Sequence, residues 1–305
     1  QAIFFDGRGG PPARGGGKTQ RFYAAQSDKI ASNEIQLTIQ GQTISSKYGT
    51  QAHFIHNCEQ LLTAGLNNMF YGRRNTISEE QRKLIDELAD ISYEKYISLK
   101  NHEKFIPYLE KRSTLKFYGQ TNIGSRPAKR GKSEKLNLDD LRAIPYVGSW
   151  SQLKQNVPGY FGIGTALKRA ADDGKEEQLK RLFRNVAFFK ALLLNSMMAL
   201  TKCYFELTTY IEKDEEFSDF WKMLRDEYHL SKEMLLRISG YEQLMQEEPI
   251  SRSSVSIREK IVLPLLIIQQ YALQKIEHGS ELKEVYEKIV VRSLYGNINA
   301  SRHSA

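Results

Sequence analysis

Two arginines set among glycines are the first residues of this chain whose types and spacing could do chemistry. Asp6-Gly7-Arg8-Gly9-Gly10-Pro11-Pro12-Ala13-Arg14-Gly15-Gly16-Gly17 follows directly on the apolar run Ala2 to Phe5. Glycine lets backbone N–H groups approach an anion closely, and each guanidinium can form two parallel charge-assisted bonds to a phosphate or carboxylate. Arg8 and Arg14 on such a frame point to a small, highly charged ligand. Rival readings are weaker. Flexible linkers are usually Ser-rich and seldom follow a buried strand. Gly17-Lys18-Thr19 suggests a P-loop, but the glycine required five residues before Gly17 is Pro12, so that motif fails. Two Arg-Gly-Gly copies without a stacking aromatic between them are a poor RNA-binding segment. Ser125-Arg126-Pro127-Ala128-Lys129-Arg130 and Asp140-Leu141-Arg142 add cations from separate loops. Taken alone, these would be solvated loop charges.

Other candidate clusters carry less. His53 and His56 lie beside Cys58 on an expected helix, but zinc would need a fourth ligand, so surface or packing roles are expected there. Asp6, Asp139 and Asp140 are not spaced as a metal cage. Gly159, Gly162 and Gly164 precede a helix without the strand-bounded fingerprint or downstream acidic partner of a dinucleotide site. Leu192 to Leu194 and Ile261 to Ile268 read as helix packing faces. Lys202, in the apolar stretch Ala199 to Phe205, reads in isolation as a snorkelling surface lysine.

The elements that must position these residues divide into two kinds. Ile35 to Ile39 and Thr43 to Lys47 alternate around Gly41, the pattern of a β-hairpin. Thr76 with Glu79 makes a capping box, and Leu84, Leu88, Ile91 and Leu99 keep a helical period to about Lys100. Residues 117–149 read as loops and short strands. Beyond about Gly159 the period is helical nearly throughout, over about 164–172, 175–183, 186–212, 215–228, 231–246, 253–277 and 281–295. Strands that end in Arg- and Gly-rich loops and alternate with helices suit part of a TIM-type β/α barrel, whose active site lies at the C-terminal strand ends. The expected fold is therefore α/β leaning mostly α. Residues 1–163 supply late strands and helices of a partial barrel, and residues 164–305 supply a large C-terminal helical region.

Composition bounds the function. Forty per cent hydrophobic and 26% charged residues are ordinary for a globular chain. The net charge of +8 is concentrated before residue 151, where it amounts to +7, so an anionic partner is expected there. Two cysteines cannot build a disulfide framework, which points to a reducing, cytoplasmic setting. No apolar run approaches the roughly 20 residues needed to span a bilayer, and no membrane role is expected. The chain opens at Gln1 already inside an apolar run, as a piece of something longer would.

Four motifs occur in the order and spacing found in phosphoenolpyruvate carboxylases. They are Phe5-Asp6-Gly7-Arg8-Gly9-Gly10 with Arg14-Gly15-Gly16-Gly17, then Gly124-Ser125-Arg126-Pro127-Ala128-Lys129-Arg130, then Leu141-Arg142-Ala143-Ile144-Pro145, then Gly162-Ile163-Gly164-Thr165-Ala166. The similarity runs on through Lys202, Ile257-Arg258 with Pro264, and Arg302-His303-Ser304-Ala305. The chain resembles roughly the last third of that enzyme.

The resemblance implies formation of oxaloacetate and phosphate from phosphoenolpyruvate and bicarbonate. It implies that Arg8 and Arg142 hold the phosphate, that Arg14 holds bicarbonate or carboxyphosphate, and that Arg126 supports the same anions. It also implies a Mg2+ or Mn2+ cofactor whose ligands, with the catalytic histidine and lysine, precede residue 1. The 305 residues alone would then bind no metal and be inactive. A feedback inhibitor, aspartate or malate, would be held by Lys202, Arg258, His303 and Arg14. The family has histidine where Asp6 stands and asparagine where His303 stands, so inhibitor binding could depend on pH near neutrality. A homotetramer is implied for the complete protein, without nucleic acid. An anion- or RNA-binding module using the basic first half is the alternative from another class.

Overall fold

The structure is a computed structural model that describes residues 18–26, 34, 37, 39, 42–71, 77–121 and 141–301. Among these residues the chain is helical, apart from an isolated bridge position at Leu141. The α-helices are α1 (Thr19–Ala24), α2 (Gln42–Tyr48), α3 (Gln51–Leu66), α4 (Glu79–Lys100), α5 (Phe105–Arg112), α6 (Ala143–Gln152), α7 (Ile163–Ala170), α8 (Glu176–Asn185), α9 (Ala187–Thr201), α10 (Ser218–Ser239), α11 (Pro249–Glu277) and α12 (Lys283–Ser301). Shorter 3-10 turns at Leu115–Gln120, Val157–Gly159 and Phe205–Lys213 join some of them.

This overturns the partial TIM-type barrel. Among the described residues there is no strand or sheet for a barrel to use. Thr43 to Lys47, read as half of a hairpin, lies inside α2, and its apolar residue Ile44 is 51% exposed. Ala143 to Tyr146, read as part of a loop-and-strand region, opens α6. The physical reason is common to both. A short alternating segment needs neighbouring strands to satisfy its backbone groups, whereas a helix satisfies them within itself. Most of the hairpin's first half, Ile35 to Ile39, lies outside the described residues.

The helical readings fare differently. α4 ends at Lys100 as its period requires, and its capping box lies two residues beyond the expected one. The Ser78 hydroxyl accepts from the Gln81 N–H at 3.2 Å, and the Gln81 side chain accepts from the Ser78 N–H at 3.0 Å. Two expected helices, 215–228 and 231–246, form the single helix α10, which ends at Gly240 with φ 72°. The expected 186–212 helix instead breaks after Thr201 into a 3-10 turn.

Three apolar clusters hold the helices together. One gathers Leu84 and Leu88 of α4 with α7, α8, α9 and the C-terminal half of α10. A second is rich in aromatic side chains, with Phe105, Tyr108, Trp150, Phe217, Phe220 and Trp221. A third joins Phe117 and Tyr118 to α11 and α12. α10 belongs to the first two, with Phe220, Trp221 and Leu224 in one and Met234, Leu235 and Ile238 in the other.

Between those two groups α10 carries Glu227 and Ser231, both buried. The Glu227 carboxylate accepts from the Gly162 N–H at 3.1 Å, the Thr165 N–H at 3.1 Å and the Thr165 hydroxyl at 2.5 Å. Ser231 accepts from the Gly164 N–H at 3.1 Å. The open N–H groups at the start of α7 thus meet an internal carboxylate, the charge a helix N-terminus favours. Gly162 and Gly164 are contact glycines. Gly162 has φ 99°, and a Cβ on Gly164 would stand 2.5 Å from the Ser231 nitrogen and 2.7 Å from its Cα.

Gly164→Ala is therefore expected to lower stability by about 1–3 kcal/mol through backbone displacement of α7 from α10. Gly119→Ala, where an added Cβ would meet nothing within 4 Å, should stay within about 0.5 kcal/mol of the parent. Urea unfolding midpoints of the two variants check this, and equal midpoints would refute the close-packing account.

Candidate anion-binding site

After α6 the chain turns sharply through residues 153–156, and this turn sets the position of the site's first cation. Lys154 has φ 56° and Asn156 φ 42°, both in the left-handed region. Asparagine tolerates that region, whereas for lysine it costs on the order of 1–2 kcal/mol. Surrounding bonds fix the turn. The Gln155 N–H donates to the Trp150 carbonyl at 3.1 Å, and the Tyr204 N–H donates to the Lys154 carbonyl at 2.8 Å. The Cys203 thiol donates to the Gln155 carbonyl at 3.1 Å. The buried Gln155 amide donates to Tyr108 at 2.8 Å and to Thr208 at 3.1 Å, and Trp221 donates to the same Thr208 hydroxyl at 3.0 Å. The turn is thereby stapled to the end of α9, where Lys202 follows Thr201.

A cavity of about 520 Å³ opens here, walled by α6, the turn, α9, α11 and α12. Its charged lining is Lys154, Lys202, Arg258 and Glu259. Lys154 Nζ lies 2.6 Å from Glu259 Oε1, with the lysine side chain only 5% exposed. Elsewhere the wall is largely apolar, including Val255, Val262 and Leu266. Its polar positions include Asn195, Asn297 and Tyr118, whose Nδ2, Oδ1 and hydroxyl atoms are buried without hydrogen-bond partners. One wall is braced by a network in which Gln269 and Asn297 each donate to Gln152 Oε1 at 3.1 Å.

The residue Lys202 is partly exposed overall, but its ammonium is withdrawn from water. Burial first, then the charges of Lys154 and Arg258, lower its pKa to about 8. Burial has the opposite effect on the neighbouring Cys203 thiol, which is pushed up to about 12. That cysteine is accordingly a packed thiol rather than a nucleophile.

Of the residues singled out in the sequence, Lys202 and Arg258 come together on this cavity although 56 positions separate them. Arg142 is placed apart from its lining, just before α6, with its Nε buried and without a hydrogen-bond partner. Arg8, Arg14, Arg126 and His303 lie outside the described residues, as do Asp6, Asp139 and Asp140. His53 and His56 are exposed on α3. Among the described residues no three His, Cys, Asp or Glu side chains gather as a metal site would require. The described donors therefore form no cluster of the kind a divalent cation would need. Lys154 and Glu259 escaped the sequence reading. A lysine ending an apolar helix and a glutamate beside an arginine carry no periodic signal, and only the turn and α11 bring them together.

The described residues form a helical unit with a cation-lined, largely apolar cavity. Comparison with known proteins supplies the family. The family model for phosphoenolpyruvate carboxylase matches residues 1–300. A phosphoenolpyruvate carboxylase of Corynebacterium glutamicum is 32% identical over 312 aligned positions, which cover 98% of this chain and 34% of the relative. Those of Prochlorococcus marinus and Corynebacterium efficiens are 30% and 33% identical, covering 94% and 91% of this chain and 30% and 31% of the relatives. The chain belongs to the phosphoenolpyruvate carboxylase family, and it spans about a third of the length of the curated relatives it matches. None of its described helices is long and apolar enough to cross a membrane.

The lowered pKa of Lys202 gives a pH signature. An anion beside the ammonium favours its charged form, so anion binding takes up a proton once the free lysine has begun to lose its own. Dicarboxylate affinity is expected to be level below about pH 8 and to fall above it. Stability follows the same group with a defined sign. The folded state holds this proton less tightly than the unfolded chain, so the lysine's destabilising contribution is complete below about pH 8 and fades toward the ordinary lysine value of 10.5. Calorimetric titrations from pH 7 to 9.5 on the parent and Lys202→Arg check the binding claim. The arginine variant should show a flatter profile, and parallel profiles would refute it.

Proposed function

We propose that this chain serves the phosphoenolpyruvate carboxylase reaction as its substrate-phosphate and inhibitor-binding portion. The observation that carries the reading is the family match over residues 1–300. In the proposed reaction a bicarbonate oxygen attacks the phosphorus of phosphoenolpyruvate, and the bond from phosphorus to the enol oxygen breaks. Carboxyphosphate and the pyruvate enolate result. Carboxyphosphate releases CO2 and phosphate, and C3 of the enolate captures the CO2 to give oxaloacetate. Negative charge develops first on the transferring phosphoryl group and then on the enolate, so fixed cations stabilise both steps. Arg142 is proposed to hold the phosphate, a role supported by its buried Nε lacking a partner. Arg8, Arg14 and Arg126 are proposed to hold the same anions by the motifs that carry them.

Phosphoryl transfer also calls for a divalent cation to neutralise the phosphate oxygens. No step through that ion is assigned to the described residues, whose carboxylates do not converge. We further propose that the 305 residues alone do not complete a turnover. Supplied with phosphoenolpyruvate, bicarbonate and Mg2+, they should give no oxaloacetate above the protein-free blank in an assay coupled to its reduction. Turnover at an ordinary enzymatic rate would overturn that part of the reading.

The cavity is proposed to take a dicarboxylate feedback inhibitor, aspartate or malate. Lys202 and Arg258 supply the cations, as the convergence of these two distant residues supports, and Arg14 and His303 are proposed to complete the set. Sharing Arg14 between inhibitor and substrate gives a simple mechanism, in which inhibitor binding draws the Gly-rich loop from the reacting anions. Assembly into a homotetramer is also proposed. α11 leaves Ile250, Ile257, Ile261 and Ile268 exposed, a stripe suited to being covered by protein. Titration of aspartate and of malate into the parent and Arg258→Ala tests the inhibitor site. Binding should weaken at least tenfold on loss of the guanidinium, and equal heats from both proteins would sink the assignment.

A further inference from the structure

The cavity extends well past its charged end. Arg258 and Glu259 lie with Lys154 and Lys202, and the lining supplied by α11 then continues through Val262 to Leu266. Eight positions of helix separate Arg258 from Leu266, a rise of about 12 Å. The two carboxyl carbons of a four-carbon diacid are three bonds apart, a span of about 3.8 Å. A diacid held at the cations therefore leaves the inner part of the cavity, walled by α6, α11 and α12, to something else. Val147, Val262 and Leu266 make that part apolar.

Two polar groups among these walls have bonding capacity left over. Asn297 donates through Nδ2 to Gln152 Oε1 at 3.1 Å, but its Oδ1 is buried and accepts no hydrogen bond among the described residues. The Tyr118 hydroxyl is likewise buried without a partner there. Burial raises its pKa, so it keeps its proton and is able to donate. Both residues line the cavity, with Tyr118 3% and Asn297 1% exposed. Gln152 Oε1 already accepts from Gln269 and Asn297. A buried donor without an acceptor and a buried acceptor without a donor are each costly. One hydroxyl group answers both, because it accepts and donates at the same oxygen.

We propose that the inner part of the cavity is a separate subsite for a phenol, whose ring packs on Val147, Val262 and Leu266 while its hydroxyl accepts from Tyr118 and donates to Asn297 Oδ1. A rigid ring suits these walls because it loses little conformational freedom on binding. The inference goes beyond the dicarboxylate reading and does not depend on it, since the phenol makes no contact with Lys202 or Arg258.

The test is a ligand-observed NMR titration of 4-methylphenol, and of its methyl ether 4-methylanisole, into the chain at pH 7 with and without saturating malate. The phenol should bind saturably with a Kd below about 1 mM. The ether has no proton for Asn297 and should bind about fivefold more weakly. Tyr118→Phe removes the other bond and should weaken the phenol about fivefold. Val147→Phe places a ring in the subsite and should abolish binding; its position is only half-buried, so it decides the matter if Tyr118→Phe has no thermal transition. Malate should leave the phenol's Kd unchanged. Absence of saturable phenol binding, equal affinities for phenol and ether, unchanged affinity in either folded variant, or displacement by malate would each overturn the inference. If the parent binds malate but no phenol, the dicarboxylate reading stands and the subsite alone falls. If it binds the phenol but no malate, the subsite stands and the dicarboxylate reading falls.

Discussion

The described helices depend on a buried carboxylate placed where a helix begins. Glu227 accepts from the N–H groups of Gly162 and Thr165 and from the Thr165 hydroxyl, and Ser231 one turn later accepts from Gly164. α10 carries both residues at the junction between its two apolar faces. Close approach is possible because residues 162 and 164 have no side chain. Gly159 extends the rule, since a Cβ there would stand 2.4 Å from the Ala199 Cβ on α9. One short stretch, residues 159–165, is thus registered against α4, α9 and α10. A buried anion that found no such donors would be heavily destabilising. Here each of its oxygens has a partner, and the desolvation is offset by charge-assisted bonds.

The same stretch carries the consequence toward the cavity. Residues 153–156 precede it without room for slack, and the backbone of the turn is tied to Cys203 and Tyr204 beyond α9. Among the described residues, Lys154, Lys202 and Arg258 share this largely apolar-walled space with the carboxylate of Glu259. Burial and the neighbouring charges of Lys154 and Arg258 work together on Lys202 and lower its pKa. The left-handed backbone at Lys154 is held in place by the bonds of the turn.

The sequence made parts of this legible and hid others. Helical period located α4, α7, α8, α11 and α12 because each buries one face against a neighbour. The supposed strands failed where alternation rested on one apolar residue, Ile44, and within the 117–149 stretch read as loops and short strands, where Pro145 lies inside α6 near its start. Proline is at home in a helix's first turn, so its presence there decided nothing. Lys202 and Arg258 were found through family motifs, not through physics, since a lysine in an apolar stretch looks like any snorkelling side chain. Lys154 and Glu259 were invisible for a different reason. Their significance is one of position in space, set by a turn whose φ values no composition announces. The glycines at 159, 162 and 164 were read as lacking a dinucleotide fingerprint, but the neighbours they pack against, among them a carboxylate 65 residues downstream of Gly162, could be seen only in the fold.

α11 shows what such an arrangement means mechanically. It is fastened at both ends by carboxylates: Glu248, before its first turn, takes Arg21 at 2.5 Å, and Glu277, in its last, pairs with Arg112. Midway, Pro264 has no N–H to offer the preceding turn. α11 nevertheless runs on as one helix through that position. Arg258 and Glu259 ride the segment before Pro264, while Ala272 and Leu273 beyond it are bedded against α12. The charged end of the cavity thus sits on the half of α11 before Pro264, and the half beyond it is bedded against α12.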